Sequence, residues 1–88
     1  MADVNKYGII KKIISKKQQA NRELALVETT ISTMWAIVLL EDGELKQSKC
    51  YSWSSSSEER IKKAFQKSAR QDYQHFKKLL LEKKTIQL

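Results

Sequence analysis

The middle of the chain carries the run MWAIVLLEDGE at residues 34–44, in which seven apolar residues lead into an acidic turn. Continuous apolar character over such a length is typical of a central strand that is covered on both faces. Asp42-Gly43 comes next, and this pair strongly indicates a β-hairpin because both residues tolerate positive φ. We therefore predict a strand over 32–40 and a hairpin at Asp42-Gly43.

A partner strand is predicted over 45–53, downstream of the hairpin. Its two sets of alternating residues are both mixed in polarity, with Tyr51 and Trp53 in one set and Cys50 in the other. A mixed pattern of this kind predicts an edge strand. Upstream, residues 24–28 fit either a short strand or the end of a preceding helix. The sheet is therefore expected to have two or three strands.

The first part of the chain predicts a helix. Ile10, Ile13, Ile14 and Leu24 share one helical stripe, lysines fill the other face, and Asp3 is a candidate N-cap. The paired isoleucines fit a period of 3.6 better than a period of 2. Isoleucine also favours strands, so an edge strand over 9–14 is the alternative.

The last part of the chain predicts a long helix that ends near residue 83. Four serines, Ser54–Ser57, precede it, and Ser55 with Glu58 or Ser56 with Glu59 would make a capping box. The predicted helix is longer than the strands, so its C-terminal end should extend beyond the sheet. The predicted fold is α+β: an N-terminal helix, a two- or three-stranded antiparallel sheet and a long C-terminal helix, in one domain spanning 1–88.

Composition limits the classes of function. A chain of 88 residues has room for one modest core and little room for a deep substrate cavity. Cys50, the only cysteine, excludes an intramolecular disulfide, and the longest apolar run is far below the ~20 residues of a membrane span. We expect a cytoplasmic protein that does not bind membranes.

Catalytic groups are scarce in the sequence. Cys50 and the single histidine, His75, are the only soft or imidazole side chains, and both fit structural roles better than a nucleophile–base pair. No carboxylate pair, glycine-rich phosphate loop or metal-ligand spacing is present. The sequence predicts a protein that is not an enzyme, with no cofactor, no metal and no small-molecule substrate.

The charge pattern points to an anionic partner. The net charge is +7, and Lys and Arg are in excess over 1–22 and 54–88, whereas Asp and Glu are in excess over 23–53. If both predicted helices pack on one sheet face, their outer sides form one basic surface that binds phosphates. The alternative is a solvated lysine face that merely favours helix. The predicted phosphate-binding residues are Lys11, Lys12, Lys16, Lys17, Lys62, Lys63, Lys67 and Arg70, with Lys77-Lys78 and Lys83-Lys84 further along the second helix.

Tyr51 and Trp53 could stack bases beside this surface. The serine run, together with Arg60 and Lys63 at a helix N-terminus, could bind a phosphate, or it could only cap and link the helix. The preferred partner is nucleic acid, followed by an acidic protein surface. The rival hypothesis is a protein-interaction module, an inhibitor or adaptor acting alone or as a homodimer, whose contact residues are Phe76, Leu79, Leu80 and Leu81.

Two resemblances accompany this interpretation. The predicted α-β-β-β-α order, with Arg60, Lys62 and Lys63 at the start of the basic last helix, resembles a double-stranded-RNA-binding domain, which contacts phosphates there. Ser54–Ser57 stand where that family has a glycine-rich approach. The segment 34–67 resembles a tryptophan-glycine-arginine domain, but Ser54 follows Trp53 where that family has Gly-Arg.

Overall fold

The computed structural model describes residues 10–88, which form four strands and one helix in the order β-β-β-β-α. The elements are β1 (Ile10–Gln19), β2 (Arg22–Thr29), β3 (Met34–Glu41), β4 (Glu44–Ser52) and α1 (Glu59–Leu81). The predicted N-terminal helix is wrong, and so is the prediction of only two or three strands. The proposed N-cap at Asp3 lies outside the described residues.

The sheet is an antiparallel meander with the strand order β1-β2-β3-β4. Asp42 and Gly43 have φ values of 54° and 79°, as a type I′ turn requires, so the predicted hairpin is confirmed. The β1–β2 connection is also two residues long, and its first residue, Ala20, has a φ of 55°. Two of the three connections are therefore two-residue turns, whereas β2 and β3 are joined by the four residues 30–33.

β1 is a strand that pairs with β2 and is interrupted by two β-bulges. Ile10 pairs with Thr29 and Lys12 with Glu28, so two residues of β1 oppose one of β2, and a second shift lies between Ile13 and Ser15. Each bulge adds one residue to the alternation. Isoleucines three and four positions apart are therefore compatible with a strand, and the helical period in this segment was misleading.

β3 is the central strand that the sequence predicts. Six of its eight residues are buried, and it pairs along its length with β2 and β4. The segment 24–28, for which a strand and a helix end were both open, belongs to β2. β4 is an edge strand, as predicted.

Each face of the sheet carries an apolar cluster. The larger cluster lies between the sheet and α1 and includes Leu24, Trp35 and Ile37 from the strands and Ala69 and Tyr73 from the helix. The second cluster lies on the opposite face, where Ile10 and Leu45 pack against it from the two edge strands. Its buried members are Ala25, Val27, Ala36, Val38 and Leu40. The face that meets the helix we call the helix face.

The start of α1 differs from the prediction. Glu58 is the N-cap and makes no side-chain capping hydrogen bond. Ser54 and Ser56 instead bond to each other through their hydroxyl oxygens, which lie 2.8 Å apart. The predicted capping boxes are therefore absent.

The end of α1 is tied to the sheet. Lys83, with a φ of 59°, donates its N–H to Leu80, and Lys84 donates to Leu79, which is the Schellman arrangement. The chain then returns to β4, where the Gln47 amide donates to the Ile86 carbonyl at 2.8 Å and accepts from the N–H of Leu88 at 2.8 Å. The predicted C-terminal overhang is wrong.

The free end of the helix is the N-terminal one. Ile61 and Phe65 are each 39% exposed, and over 59–68 only Lys62 and Gln66 are half-buried. The first buried residue of α1 is Ala69. Among the described residues, no helix is both long and apolar enough to cross a membrane.

Candidate nucleic-acid interface

Two adjacent residues fix the rotation of α1 on the sheet. The Tyr73 hydroxyl donates to the Leu24 carbonyl of β2 at 3.2 Å. Asp72 accepts from Lys49 Nζ at 3.4 Å and from the Tyr51 hydroxyl, both on β4. Because consecutive helical residues are about 100° apart, these contacts define one side of α1 that faces β4 and an opposite side that faces β2 and β1.

A basic stripe follows the side of α1 that faces β1. Its members recur at intervals of four and three residues, so they lie on one helix face. They are Lys63, Lys67, Arg70, Gln74 and Lys77. The Arg70 guanidinium lies 4.8 Å from the centre of the Trp35 ring, which anchors the middle of the stripe to the sheet. All members are exposed except Lys77, which is half-buried.

Two lysines of β1 lie on the same side of the protein. Lys17 pairs with Leu24, the residue whose carbonyl binds Tyr73, and Lys12 pairs with Glu28, which pairs in turn with Trp35. Residues directly opposite one another in a sheet share a face. Lys12 and Lys17 therefore lie on the helix face, beside the basic stripe of α1.

The other two predicted lysines of β1 are placed differently. Lys16 pairs with Ala25 of the opposite face, and its Nζ lies 3.6 Å from a Glu23 carboxylate oxygen. Lys11 lies at the first bulge, with its Nζ 4.0 Å from Glu28. Both lysines have acidic neighbours that offset part of their charge.

We call the six co-facial cations the cationic face: Lys12, Lys17, Lys63, Lys67, Arg70 and Lys77. No carboxylate of residues 10–88 lies within 4.0 Å of the charged nitrogens of these side chains. Five of the nine acidic residues over 10–88 lie at the β3–β4 turn, over 41–44, and at the start of the helix, at Glu58 and Glu59. Glu28 is the acidic residue nearest the cationic face, because it lies directly opposite Lys12. The other five cations of this face have no acidic residue directly opposite them on a neighbouring strand and no ion pair, so they can bind an anion.

The aromatic residues predicted to stack bases belong to the core. Tyr51 is 8% exposed and Trp53 is 9% exposed, and the Trp53 ring centre lies 6.4 Å from that of Phe65. Burial, followed by the hydrogen bond to Asp72, raises the pKa of Tyr51 well above its usual value. Both rings belong to the β4 side of the molecule, away from the cationic face.

The serine run lines a shallow, open depression of about 230 Å³. Its walls include Trp53, Lys62 and three of the serines, and Glu59 lies at its edge. Arg60 does not line it, and its guanidinium is 3.6 Å from a Glu58 carboxylate oxygen. Acidic side chains thus compete with any anion there, and the serines do not cap the helix either.

The apolar residues of the rival hypothesis do not form one exposed cluster. Leu80 is completely buried, and Phe76 and Leu79 pack against the core. Only Leu81, at 44% exposure, remains on the surface.

Two partners of the cationic face were not among the predicted site residues. Gln74 lies within the stripe, and Trp35 lies beneath Arg70. The spacing of Lys63, Arg70 and Lys77 at seven-residue intervals is the signal that could have identified the complete stripe. The position of Trp35 depends on strand register, which the sequence did not reveal.

Within residues 10–88, no group of three or more His, Cys, Asp or Glu side chains could hold a metal. No protein-family model matches the chain, and no curated protein or solved structure matches it either. Its function has to be inferred from the arrangement of its own side chains.

Proposed function

We propose that this protein binds nucleic acid through the cationic face and holds the sugar–phosphate backbone with the lysines and arginine of β1 and α1. The observation that carries the proposal is the convergence of six cations from two distant parts of the chain. None of them has a carboxylate partner among the described residues. Surfaces of this kind are the electrostatic footprint of a nucleic-acid-binding protein.

Release of counterions would supply most of the binding free energy. Each phosphate neutralised on a duplex lowers the slope of log K against log salt by about 0.9. If all six cations contact phosphates, the slope is about −5.4, and affinity falls by about two-thousandfold between 50 and 200 mM salt. Such binding is steep in salt and largely independent of sequence.

The proposal includes a non-enzymatic role. Cys50 pairs with Ala36, which belongs to the cluster on the face opposite α1, whereas His75 is part of α1. The two side chains are therefore separated by the sheet. This placement supports a binding protein rather than one that uses a cysteine–histidine pair.

A salt series with two matched double variants tests the proposal. Lys63→Gln/Lys67→Gln removes two charges from the cationic face, and Lys16→Gln/Lys46→Gln removes two charges that already have acidic neighbours at 3.6 and 3.4 Å. Binding of a labelled 24-base-pair DNA is followed by fluorescence anisotropy. The first variant should make the slope shallower by about 1.8, and the second should leave it close to wild type.

Binding that does not change between 50 and 200 mM salt would contradict the proposal. An equal loss in both double variants would also contradict it, because net charge would then explain the result without the cationic face. Circular dichroism and thermal unfolding of each variant establish that the fold is retained.

A further inference from the structure

We infer that the ligand of the cationic face is a duplex, gripped through both of its phosphate backbones, in preference to a single strand. This inference rests on the proposed function and adds the class of nucleic acid. It follows from two features of the structure: the cations form two aligned rows, and no exposed aromatic ring among residues 10–88 accompanies them.

The first row is on α1 and the second is on β1. Lys63 and Lys77 are fourteen residues apart, so the helical row is about 21 Å long at 1.5 Å per residue. Lys12 and Lys17 pair with Glu28 and Leu24, which are four residues apart on β2, so the strand row is about 13 Å long. The row on β1 is therefore the shorter of the two.

Contacts across the sheet show that the rows run side by side. Lys12 pairs with Glu28, and Glu28 pairs with Trp35 on the next strand. Arg70 lies over the Trp35 ring. Lys17 is opposite Leu24, which binds Tyr73, and Tyr73 is one helical turn from Lys77. The order of cations along β1 is thus the same as their order along α1.

The spacing between the rows fits a duplex groove. Lys12 is two strands away from Trp35, or about 10 Å at the usual inter-strand distance. The grooves of B-form DNA are about 6 and 12 Å wide. Measured in the plane of the sheet, the two rows are therefore about 10 Å apart where Arg70 lies over Trp35, and their flexible side chains can reach the phosphates on both rims of one groove. A single strand supplies one line of phosphates and could satisfy only one row at a time.

The second feature is the lack of a stacking platform. Trp35 is 6% exposed beneath Arg70, and Tyr73 is 2% exposed. Phe65 is more exposed, but it packs beside Trp53, which follows β4, on the other side of the helix. Proteins that bind single strands without sequence preference gain about 1–3 kcal/mol per stacked base. The described part of the cationic face offers no ring for that interaction.

Electrostatics also favours binding of a duplex over binding of a single strand. A duplex has one charge per about 1.7 Å of its axis, about twice the density of a single strand. The slope per neutralised phosphate is about −0.9 for a duplex and about −0.7 for a single strand. Even if a single strand reached all six cations, and both ligands bound equally at 1 M salt, the difference would amount to about 15-fold in affinity at 0.1 M salt.

The experiment compares a 24-base-pair duplex of mixed sequence with each of its separated strands, by competition against the labelled duplex at 0.1 M salt. DNA and RNA versions are both used, since the phosphate chemistry is shared. The inference is supported if the DNA duplex or the RNA duplex binds about tenfold or more tightly than its own separated strands. The inference is overturned if, for both DNA and RNA, the separated strands bind as tightly as the duplex.

The Phe65→Ala and His75→Ala variants identify any stacking mode. Both residues are exposed, and neither belongs to the cationic face. Unchanged affinity for duplex and strands in both variants supports the inference. If the protein prefers single strands, and either variant weakens that preference, the inference is overturned while the proposed function stands. Failure of all four polymers to bind in a salt-dependent manner would instead refute the proposed function itself.

Discussion

Lys16 and Lys17 give the most demanding test of the cationic face, because they are neighbours in sequence and lie on opposite faces of the sheet. Lys17 pairs with Leu24 on the helix face, whereas Lys16 pairs with Ala25 and has Glu23 at 3.6 Å. Lys16→Gln and Lys17→Gln change the net charge of the protein equally. Any difference in nucleic-acid affinity must then come from the face on which the charge lies.

The size of the difference follows from counterion release. Loss of one phosphate contact makes the salt slope shallower by about 0.9, which corresponds to about 8-fold weaker binding at 0.1 M salt. The same loss is about 15-fold at 50 mM and about 4-fold at 200 mM salt. Lys17→Gln should follow this series. Lys16→Gln should weaken binding less than about 2-fold at every salt concentration, because no phosphate contact is removed.

Fluorescence anisotropy with labelled duplex DNA at three salt concentrations measures both variants against wild type. Thermal unfolding provides the control for stability, since both substitutions are at exposed positions. Equal weakening by the two variants would refute the assignment of faces, even if the protein binds nucleic acid. A larger loss for Lys16→Gln would place the interface on the opposite side of the sheet.

Three further predictions concern stability and are measured by urea or thermal unfolding. Leu80→Ala should cost about 2–5 kcal/mol because Leu80 is fully buried, whereas Leu81→Ala should change stability by less than about 0.5 kcal/mol. Lys83→Gly should stabilise the protein by about 1 kcal/mol, since glycine adopts the positive φ of 59° without strain. Burial, with a smaller effect of Glu23, raises the pKa of Tyr73 from 10.0 to about 12. The unfolded chain therefore loses this proton first, so the contribution of Tyr73 is complete below pH 10 and falls as the pH rises towards 12, a loss that Tyr73→Phe should remove.

The parts of the fold that the sequence predicts correctly are those with purely local causes. The Asp42-Gly43 turn depends on two residues that accept positive φ, and the structure shows both there. β3 follows from a continuous apolar run, since only a strand in the middle of a sheet needs both faces apolar. The body of α1 follows from its amphipathic period. Each of these signals is complete within about ten to twenty residues.

The start of the chain was predicted wrongly because its signal is not local. Two bulges within 10–15 interrupt the alternation of the strand, so its isoleucines are three and four residues apart. A bulge is recognised from the pairing of two strands, and β2 was itself unassigned between a strand and a helix end. No periodicity within the segment could have distinguished a bulged edge strand from a helix.

The candidate site was predicted in part, for a related reason. Lys63, Lys67 and Arg70 are co-facial on a helix, and that helix exists. Their convergence with Lys12 and Lys17 depends on the rotation of α1, which is fixed by contacts to β2 and β4. Residue type and spacing identify the members of a basic surface, whereas tertiary contacts decide which members act together.

The change from helix to strand also alters how much charge the first segment presents. On a helix, Lys12 and Lys16 are four residues apart and would face the same partner. On β1 they are divided between the two faces, and Lys16 lies beside Glu23. β1 therefore contributes two of its four lysines, Lys12 and Lys17, to the helix face. The ligand must then be held mainly by α1. β1 supplies the second row of cations, which a duplex needs for its second phosphate backbone and a single strand does not.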